Sequence, residues 1–563
     1  MLDRRLTRRH FLVAAGAVTA TGLLAACEAD DSDDVVDDAP ADDAEPAVDP
    51  DDDVDDDDEE VDVDDTDVDD DADEDEEVQR GGTLHIGQDF GPQDLDPTIS
   101  TAWASTNIQE LIFTGLLRWD KDMEIEHDIA TDYEIADDTT YIFHLRDDVT
   151  FHNGKHLTSE DVKFTFERIL DPDTGSPRIS MFEQIESIDA DEDYTVQFNL
   201  SRPSAAFIRY LTTIPHGAIV PSNATDEELN SDAPGTGPFR FVEHVLDQEV
   251  RLEAFEDYYE EGLPYLDEVV FRLLGDDTSI SAALTSESVH MTWLKDPMVA
   301  QNVAETTPGL ESVPGVSSRY IPIFFDLEEP PFDDVRVRRA MSLALDRQAI
   351  VNGVLGEFGA VGTFLPPSQL GGYTGDGSDL PYYTRDVDEA MRLLEEAGYE
   401  NLEVPEFKVV AANDLDVQAS QIMQQQWADA GIDVNVNPME VGAILDDWNS
   451  GNYKMVMVGL TWNADPDEEV VRFYSQSPFG SAMGIDDPEV DELIEEGRVE
   501  IEDDARIEIY HQIQERVLDQ VYTIIPYAYP LRWELAWEYV RGYEVMPSNA
   551  RLYVRQTWLD NQE

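Results

Sequence analysis

From Glu28 to Glu77 the chain carries 32 aspartates and glutamates and no lysine or arginine. A segment of that composition cannot fold alone. Its filler is mainly Ala, Val, Pro and Thr, which bury too little apolar area to offset the entropy of ordering, and its charges repel one another. Residues 27–79 are therefore expected to form an extended, disordered tether. Aspartate is abundant enough to raise the question of calcium. No glycine supplies the sharp turn of a calcium loop, however, and the valines are irregularly spaced, so no defined ion site is expected. The acidity continues beyond the tether. Residues 78–563 hold 93 acidic and 31 basic residues, a net charge of about −62, and the chain has only six lysines. At low salt this self-repulsion opposes a compact state. At molar salt the screening length falls to roughly 3 Å and the repulsion largely disappears. The body thus reads as a protein of an extreme halophile, its acidity an adaptation to solvent. Nucleic-acid binding is excluded, because no basic face exists to neutralise phosphates.

The N-terminus sets where such a chain works. Thr7-Arg8-Arg9-His10-Phe11-Leu12 resembles a twin-arginine export signal, and an apolar, small-residue stretch follows from Phe11 to Ala26. That stretch is short for a membrane span and has the charge-then-apolar layout of a signal peptide. Leu24-Ala25-Ala26 then precedes Cys27, the single cysteine of the chain, in the Leu-x-x-Cys shape of a bacterial-type lipobox. Residues 1–26 are expected to be cleaved and Cys27 to carry lipid. The body would then be held at the outer face of the cytoplasmic membrane. No thiol is left for disulfides, metal or catalysis.

About 480 residues follow the tether, too many for one core and suited to two lobes. Tyr141 to Arg146 alternates as a strand. Asn153-Gly154 marks a tight turn, and Thr158 stands three residues before Asp161, a near-match to a capping box that opens a helix to about Leu170. Asp334 and Asp386 are read as caps of two further helices, the second ending at Gly398. A strand from Phe407 to Ala412, a helix from Leu415 to Ala430 stopped by Gly431, and alternating Ile432, Val434 and Val436 form a βαβ unit, which implies a parallel sheet in the second half.

The nearest approach to a catalytic or metal motif is His152-Asn153-Gly154-Lys155-His156. Asn-Gly between the histidines favours a turn over the helix that a shared metal needs, so a structural or surface pair is expected. The sequence contains no Gly-x-Ser-x-Gly elbow, no His-Glu-x-x-His, no phosphate loop and no dinucleotide fingerprint. No catalytic residue, cofactor or metal is expected. The most distinctive run is Gly459 to Asp467, Gly-Leu-Thr-Trp-Asn-Ala-Asp-Pro-Asp, after an apolar stretch, Met455–Val458. Trp462 offers a flat apolar wall, Asn463 a polar group and Asp465 a partner for an ammonium, as a ligand cleft requires. The same run equally suits a turn in which Asp465 caps the next segment and Trp462 enters the core.

Several blocks, in order along residues 81–545, resemble the peptide/nickel class of ABC-importer solute-binding proteins. They are Gly81-Gly82-Thr83-Leu84-His85-Ile86-Gly87 with Leu95-Asp96-Pro97; Phe143 to Arg146 with Val149 to Gly154 and Ser159-Glu160-Asp161-Val162; and Gly235-Thr236-Gly237-Pro238-Phe239. Pro330-Pro331-Phe332-Asp333-Asp334-Val335-Arg336-Val337-Arg338-Arg339-Ala340, running to Arg347, and Ala390 to Tyr399 complete the set. The resemblance implies an α/β, two-lobed periplasmic-binding-protein-like fold with a hinge and an extra subdomain in the first lobe. The expected bounds are 80–275 for the first lobe, 276–525 for the second and 526–563 for the return to the first. It also implies that the Trp-x-Ala-Asp run, here Trp462-Asn463-Ala464-Asp465, sets an Asp against a ligand's α-ammonium. Two departures stand out. Pro466-Asp467 comes directly after the run, shortening the loop and leaving Asp467 as a second candidate, and Asp326 stands where the family has Asn. The implied role is a lipid-anchored receptor that captures short peptides between its lobes and delivers them to an ABC permease. Within that role an oligosaccharide or a metal chelate is the alternative ligand. A surface-anchored hydrolase and a purely structural lipoprotein are the alternatives outside it.

Overall fold

The computed structural model describes residues 78–563 apart from 122–123, 366–371, 373–376, 462–464, 547–551 and 561–563. The expected signal peptide, Cys27 and the tether through residue 77 lie outside the described residues, as do Trp462 and Asn463. An eleven-stranded mixed sheet runs through the body. Its main path is Ile432–Met439, Leu402–Val410, Met455–Met457, Leu310–Phe325, Thr523–Trp537, Met291–Trp293, Thr83–Gln88, Glu268–Leu273, Glu249–Ala254 and Phe239–Val245, and Leu460–Thr461 pairs with Leu310–Phe325 off this path.

Two strands join the lobes. In the antiparallel pair Leu310–Phe325 and Thr523–Trp537, Leu310 faces Trp537 at one end and Phe324 faces Thr523 at the other. Leu310, Leu535 and Trp537 pack in a core with Ile280, Leu284 and Val289, on the first lobe's side. Ile321, Ile323, Phe325, Ile524 and Tyr527 pack in the second lobe's core, with Phe407, Trp427 and Ile432. The register slips between Val316 and Arg319 and again between Ile321 and Ile323. The sequence reading sets the change of lobe at residues 275 and 276; the change of core comes further on, inside Leu310–Phe325, because Met291–Trp293 still pairs in parallel with Thr83–Gln88.

The first lobe carries a four-stranded antiparallel sheet of its own, in the order Ala130–Asp137, Thr140–Leu145, Thr195–Leu200, Ile185–Glu192. Alternate burial along Thr140–Leu145 sends Tyr141, Phe143 and Leu145 inward, as the period-two pattern predicts. Phe143, Phe166, Phe182, Phe198 and Phe207 form its aromatic core. The helix Ser159–Leu170 covers it and begins at the expected capping box, where the Thr158 N–H donates to Asp161 Oδ2 at 3.0 Å.

The second lobe contains the expected βαβ unit. Leu402–Val410 and Ile432–Met439 pair in parallel around the helix Asp414–Asp429. Asp386 caps the helix Val387–Ala397 by accepting from the Glu389 N–H at 2.9 Å, and Gly398 ends it in the left-handed region at φ 94°. Asp334 caps Val335–Leu343 in the same way through the Arg336 N–H. No helix among the described residues is long and apolar enough to cross a membrane.

Candidate functional site

A cavity of about 800 Å³ opens between the lobes. Its first-lobe wall comes from the end of the helix Trp103–Ile112 and the residues after it, from Pro177 to Glu183 and from Tyr210 to His216. Its second-lobe wall comes from Gly459, Leu460 and the helix Asp467–Tyr474 that follows the expected ligand loop, with Phe479 and Arg498. Trp103, Phe113, Trp119, Phe473 and Phe479 give it aromatic surface.

The Gly235-Thr236-Gly237 block explains how the first wall is placed. A Cβ on Gly235 would stand 2.0 Å from the Ile112 carbonyl oxygen, so only glycine lets the chain pass that close to the helix end. Thr236 then meets Thr114, a lining residue, hydroxyl to hydroxyl at 2.5 Å. The neighbouring His152 is absorbed into the same packing. Its Nε2 bonds to the Gly237 carbonyl oxygen at 2.9 Å, and burial pushes its pKa down to about 4. His156 bonds to the Asp147 carbonyl oxygen instead, so the two histidines do not converge. No cluster able to hold a metal ion exists among the described residues.

The two candidate carboxylates occupy different settings. Asp465 is 2 % exposed and is gripped by both terminal nitrogens of Arg506, itself 0 % exposed, with Nη2 to Oδ1 at 2.7 Å. Arg506 Nε donates to the Gly497 carbonyl at 2.8 Å, and Asp465 Oδ1 also accepts the Asp467 N–H at 2.9 Å. Burial alone would raise the Asp465 pKa; the Arg506 charge and hydrogen bonds more than offset it and hold it below the ordinary value. Asp465 is not among the cavity-lining residues, whereas Asp467, Glu468 and Glu469 are. These three acids form the first turn of the helix Asp467–Tyr474, where the helix dipole favours negative charge. Burial raises the Asp467 pKa despite the nearby Arg498. Asp326, the other departure from the family pattern, is held by Lys454 Nζ at 2.9 Å and does not line the cavity.

One edge of the cavity is closed by contacts between the lobes. The Tyr210 hydroxyl donates across to Asp467 Oδ2 at 2.8 Å, while within the second lobe the Tyr510 hydroxyl holds Oδ1 at 3.2 Å. The Ala205 N–H donates to the Arg498 carbonyl at 2.9 Å, Arg498 Nη2 donates to the Ser180 carbonyl at 3.3 Å, and Arg209 Nη2 pairs with Asp503 at 3.0 Å. Arg202 pairs with Glu495 on the same rim. Sequence reasoning reaches the Asp465–Asp467 loop but misses the opposite wall. Arg178, Tyr210 and His216 belong to no motif, and only the fold carries them to the cavity.

The family model described as bacterial extracellular solute-binding proteins, family 5 Middle, matches residues 124–481. The oligopeptide-binding protein AppA of Bacillus subtilis (strain 168) is 27 % identical over 508 residues, covering 85 % of this chain and 92 % of its own. The dipeptide-binding protein of Escherichia coli (strain K12) is 27 % identical over 503 residues, covering 83 % and 92 %. Among solved structures, that of AppA from Bacillus subtilis in complex with a nonapeptide superposes with a TM-score of 0.75 at 25 % identity, covering 86 % of this chain and all of that one.

Proposed function

Since the chain belongs to the bacterial extracellular solute-binding proteins of family 5, we propose that it is the capture receptor of an ABC importer for short peptides. The observation that carries this reading is the cavity of about 800 Å³ walled by both lobes, with aromatic surface and three acids on one helix turn. Its size falls within the range of roughly 300–1,000 Å³ of small-ligand sites. A peptide is held in it by its ammonium against the wall formed by Asp467, Glu468 and Glu469, and by apolar side chains against the aromatic groups. Asp465 serves this wall from behind. With Arg506 it fixes the backbone into Pro466 and Asp467 and so sets the direction of the helix beyond them. Trp462 and Asn463, a few residues earlier in the sequence, are proposed as further ligand-binding residues. Closing of the lobes excludes water, so the charge contacts keep their strength in concentrated salt. The bound peptide then passes to the membrane permease.

The receptor is exported through the twin-arginine signal, lipidated at Cys27 and held on the acidic tether of residues 27–79, in a salt-rich medium. The lipobox layout and the net charge support this. Cys27→Ser is expected to release the protein from membranes or leave its precursor uncleaved; a variant that stays membrane-bound at the mature mass overturns the anchor. The ligand reading is tested by mass spectrometry of whatever co-purifies with the protein, then by isothermal titration with peptides of two to five residues. Retention of an intact peptide supports it. Retention of a sugar or a metal chelate, or hydrolysis of the added peptides, overturns it.

A further inference from the structure

Arg472 lies on an aromatic bed in the second-lobe wall of the cavity. It stands near the end of the helix Asp467–Tyr474, whose first turn carries the three acids. Its guanidinium carbon is 5.0 Å from the Phe473 ring centre and 4.8 Å from that of Phe479. The bed is fixed from below. Phe473, 1 % exposed, packs with Phe324 and Trp448 at ring-centre distances of 5.3 and 6.0 Å, and Trp448 meets Phe479 at 5.6 Å. Ser477 ties Phe479 to the same place. Its hydroxyl donates to the Arg472 carbonyl and accepts the Gly480 N–H at 3.1 Å, at the start of the helix Pro478–Met483. Of the wall arginines, Arg118 pairs with Glu126, Asp128 and Glu260, and Arg498 with Asp467, Glu183 and Glu495. Arg178 and Arg472 have no carboxylate within ion-pair distance among the described residues. These two differ in exposure, Arg178 being buried and Arg472 exposed. In concentrated salt an exposed cation is screened within roughly 3 Å and offers little to an anion. The flat, weakly hydrated face of a guanidinium keeps its attraction for an aromatic ring, because that contact also removes apolar area from water.

We infer that Arg472, laid on Phe473 and Phe479, is a shelf on which an aromatic side chain at the first residue of the bound peptide stacks. The inference rests on the peptide reading and on the salt-rich setting proposed above, and it names the side chain the site selects. The position follows from helix geometry. Arg472 comes four residues after Glu468 on the same face of the helix, about 6 Å further along its axis. A phenylalanine ring is centred about 5 Å from the ammonium of its own residue, and each further residue of an extended peptide adds up to about 3.5 Å. An ammonium held at the acids therefore brings the first ring over Arg472 and carries a second one past it. Closing of the lobes then covers the ring from the other side and removes water from the contact.

Isothermal titration in molar KCl with Phe-Ala-Ala, Leu-Ala-Ala, Glu-Ala-Ala, Ala-Phe-Ala and Ala-Leu-Ala tests this. The wild-type protein is expected to bind Phe-Ala-Ala about tenfold more tightly than Leu-Ala-Ala, the size of a desolvated cation–π contact, and Ala-Phe-Ala no better than Ala-Leu-Ala. Arg472→Met keeps an apolar stem without the planar cation and should bring Phe-Ala-Ala and Leu-Ala-Ala to equal affinity. Arg472→Lys keeps a cation without the plane and should retain part of the preference; circular dichroism establishes that both variants are folded. Equal wild-type affinity for Phe-Ala-Ala and Leu-Ala-Ala overturns the inference and leaves the peptide reading intact. A preference that survives unchanged in Arg472→Met overturns it as well. Tightest binding of Glu-Ala-Ala makes Arg472 an anion site and overturns the shelf, and an advantage of Ala-Phe-Ala over Ala-Leu-Ala overturns the assignment to the first residue. If the wild-type protein binds none of the five, the peptide reading fails and the inference with it. The wild-type comparison decides even where a variant does not fold.

Discussion

At the scale of single residues, the Asp465–Arg506 pair is where charge and packing are most tightly joined. Both side chains are almost wholly buried, and each satisfies the other. Asp465→Ala leaves Arg506 buried without a counter-charge and should destabilise the protein by about 3–5 kcal/mol, as for other broken buried pairs. Asp465→Leu combined with Arg506→Met should cost much less. Denaturant unfolding of the two variants decides; equal losses in both would show that volume, not charge, dominates there. The buried histidines set a second dependence. His152 and His290 are pushed down to about 4 and His216 to about 3, in each case chiefly by burial. The unfolded chain binds protons on them near pH 6.5 and the folded protein does not, so stability rises with pH through this window. The stabilisation is complete above about 6.5 and is lost as pH falls towards 4. The raised pKa of Asp467 acts the other way, since the folded form takes up a proton first as pH falls. His152→Gln, which can keep a bond to the Gly237 carbonyl, should flatten the decline in melting temperature between pH 6.5 and 4. A decline as steep as that of the wild type would remove His152 from the account.

At the scale of elements, local signals carry far and stop where partners are distant. The βαβ unit, the capping box at Thr158 and Asp161, and the caps Asp334 and Asp386 are legible because each is written within a few consecutive residues. Asp386→Ala removes one acceptor for the Glu389 N–H and should cost about 1 kcal/mol in a denaturant titration. A change within error would mean that tertiary packing alone holds the helix start. The site is legible only by half. The loop before Asp467 carries a pattern, so the second-lobe wall can be found. That Asp465 is engaged by Arg506 cannot be, because the arginine lies 41 residues on and nothing local marks it. Arg178 and Tyr210 cannot be found either, because no local pattern marks side chains that only the fold brings to the cavity. The lobe change inside Leu310–Phe325 is hidden for a related reason. It falls inside one continuous strand, where no loop or break in the chain marks it.

At the scale of the whole molecule, charge and hinge set the behaviour. Residues 78–563 carry a net charge of about −62, so folding should require high ionic strength, and deleting residues 28–77 should leave that requirement nearly unchanged. Circular dichroism through a salt titration of both forms measures this; a body equally heat-stable in dilute buffer contradicts it. The paired strands Leu310–Phe325 and Thr523–Trp537 keep their ladder from end to end while their register slips twice in the middle. Swinging the lobes apart there twists a ribbon without breaking it, and the slips concentrate the torsion in a few residues. The resistance to opening therefore sits at the far rim, in the contacts of Arg202 with Glu495, Arg209 with Asp503 and Ala205 with Arg498. These groups act as a clasp on a compliant spine. The dwell time of a captured molecule thus depends in part on residues outside the cavity lining, such as Arg202, Glu495, Arg209 and Asp503, and evolution can retune how long the receptor waits for its permease without altering what it recognises.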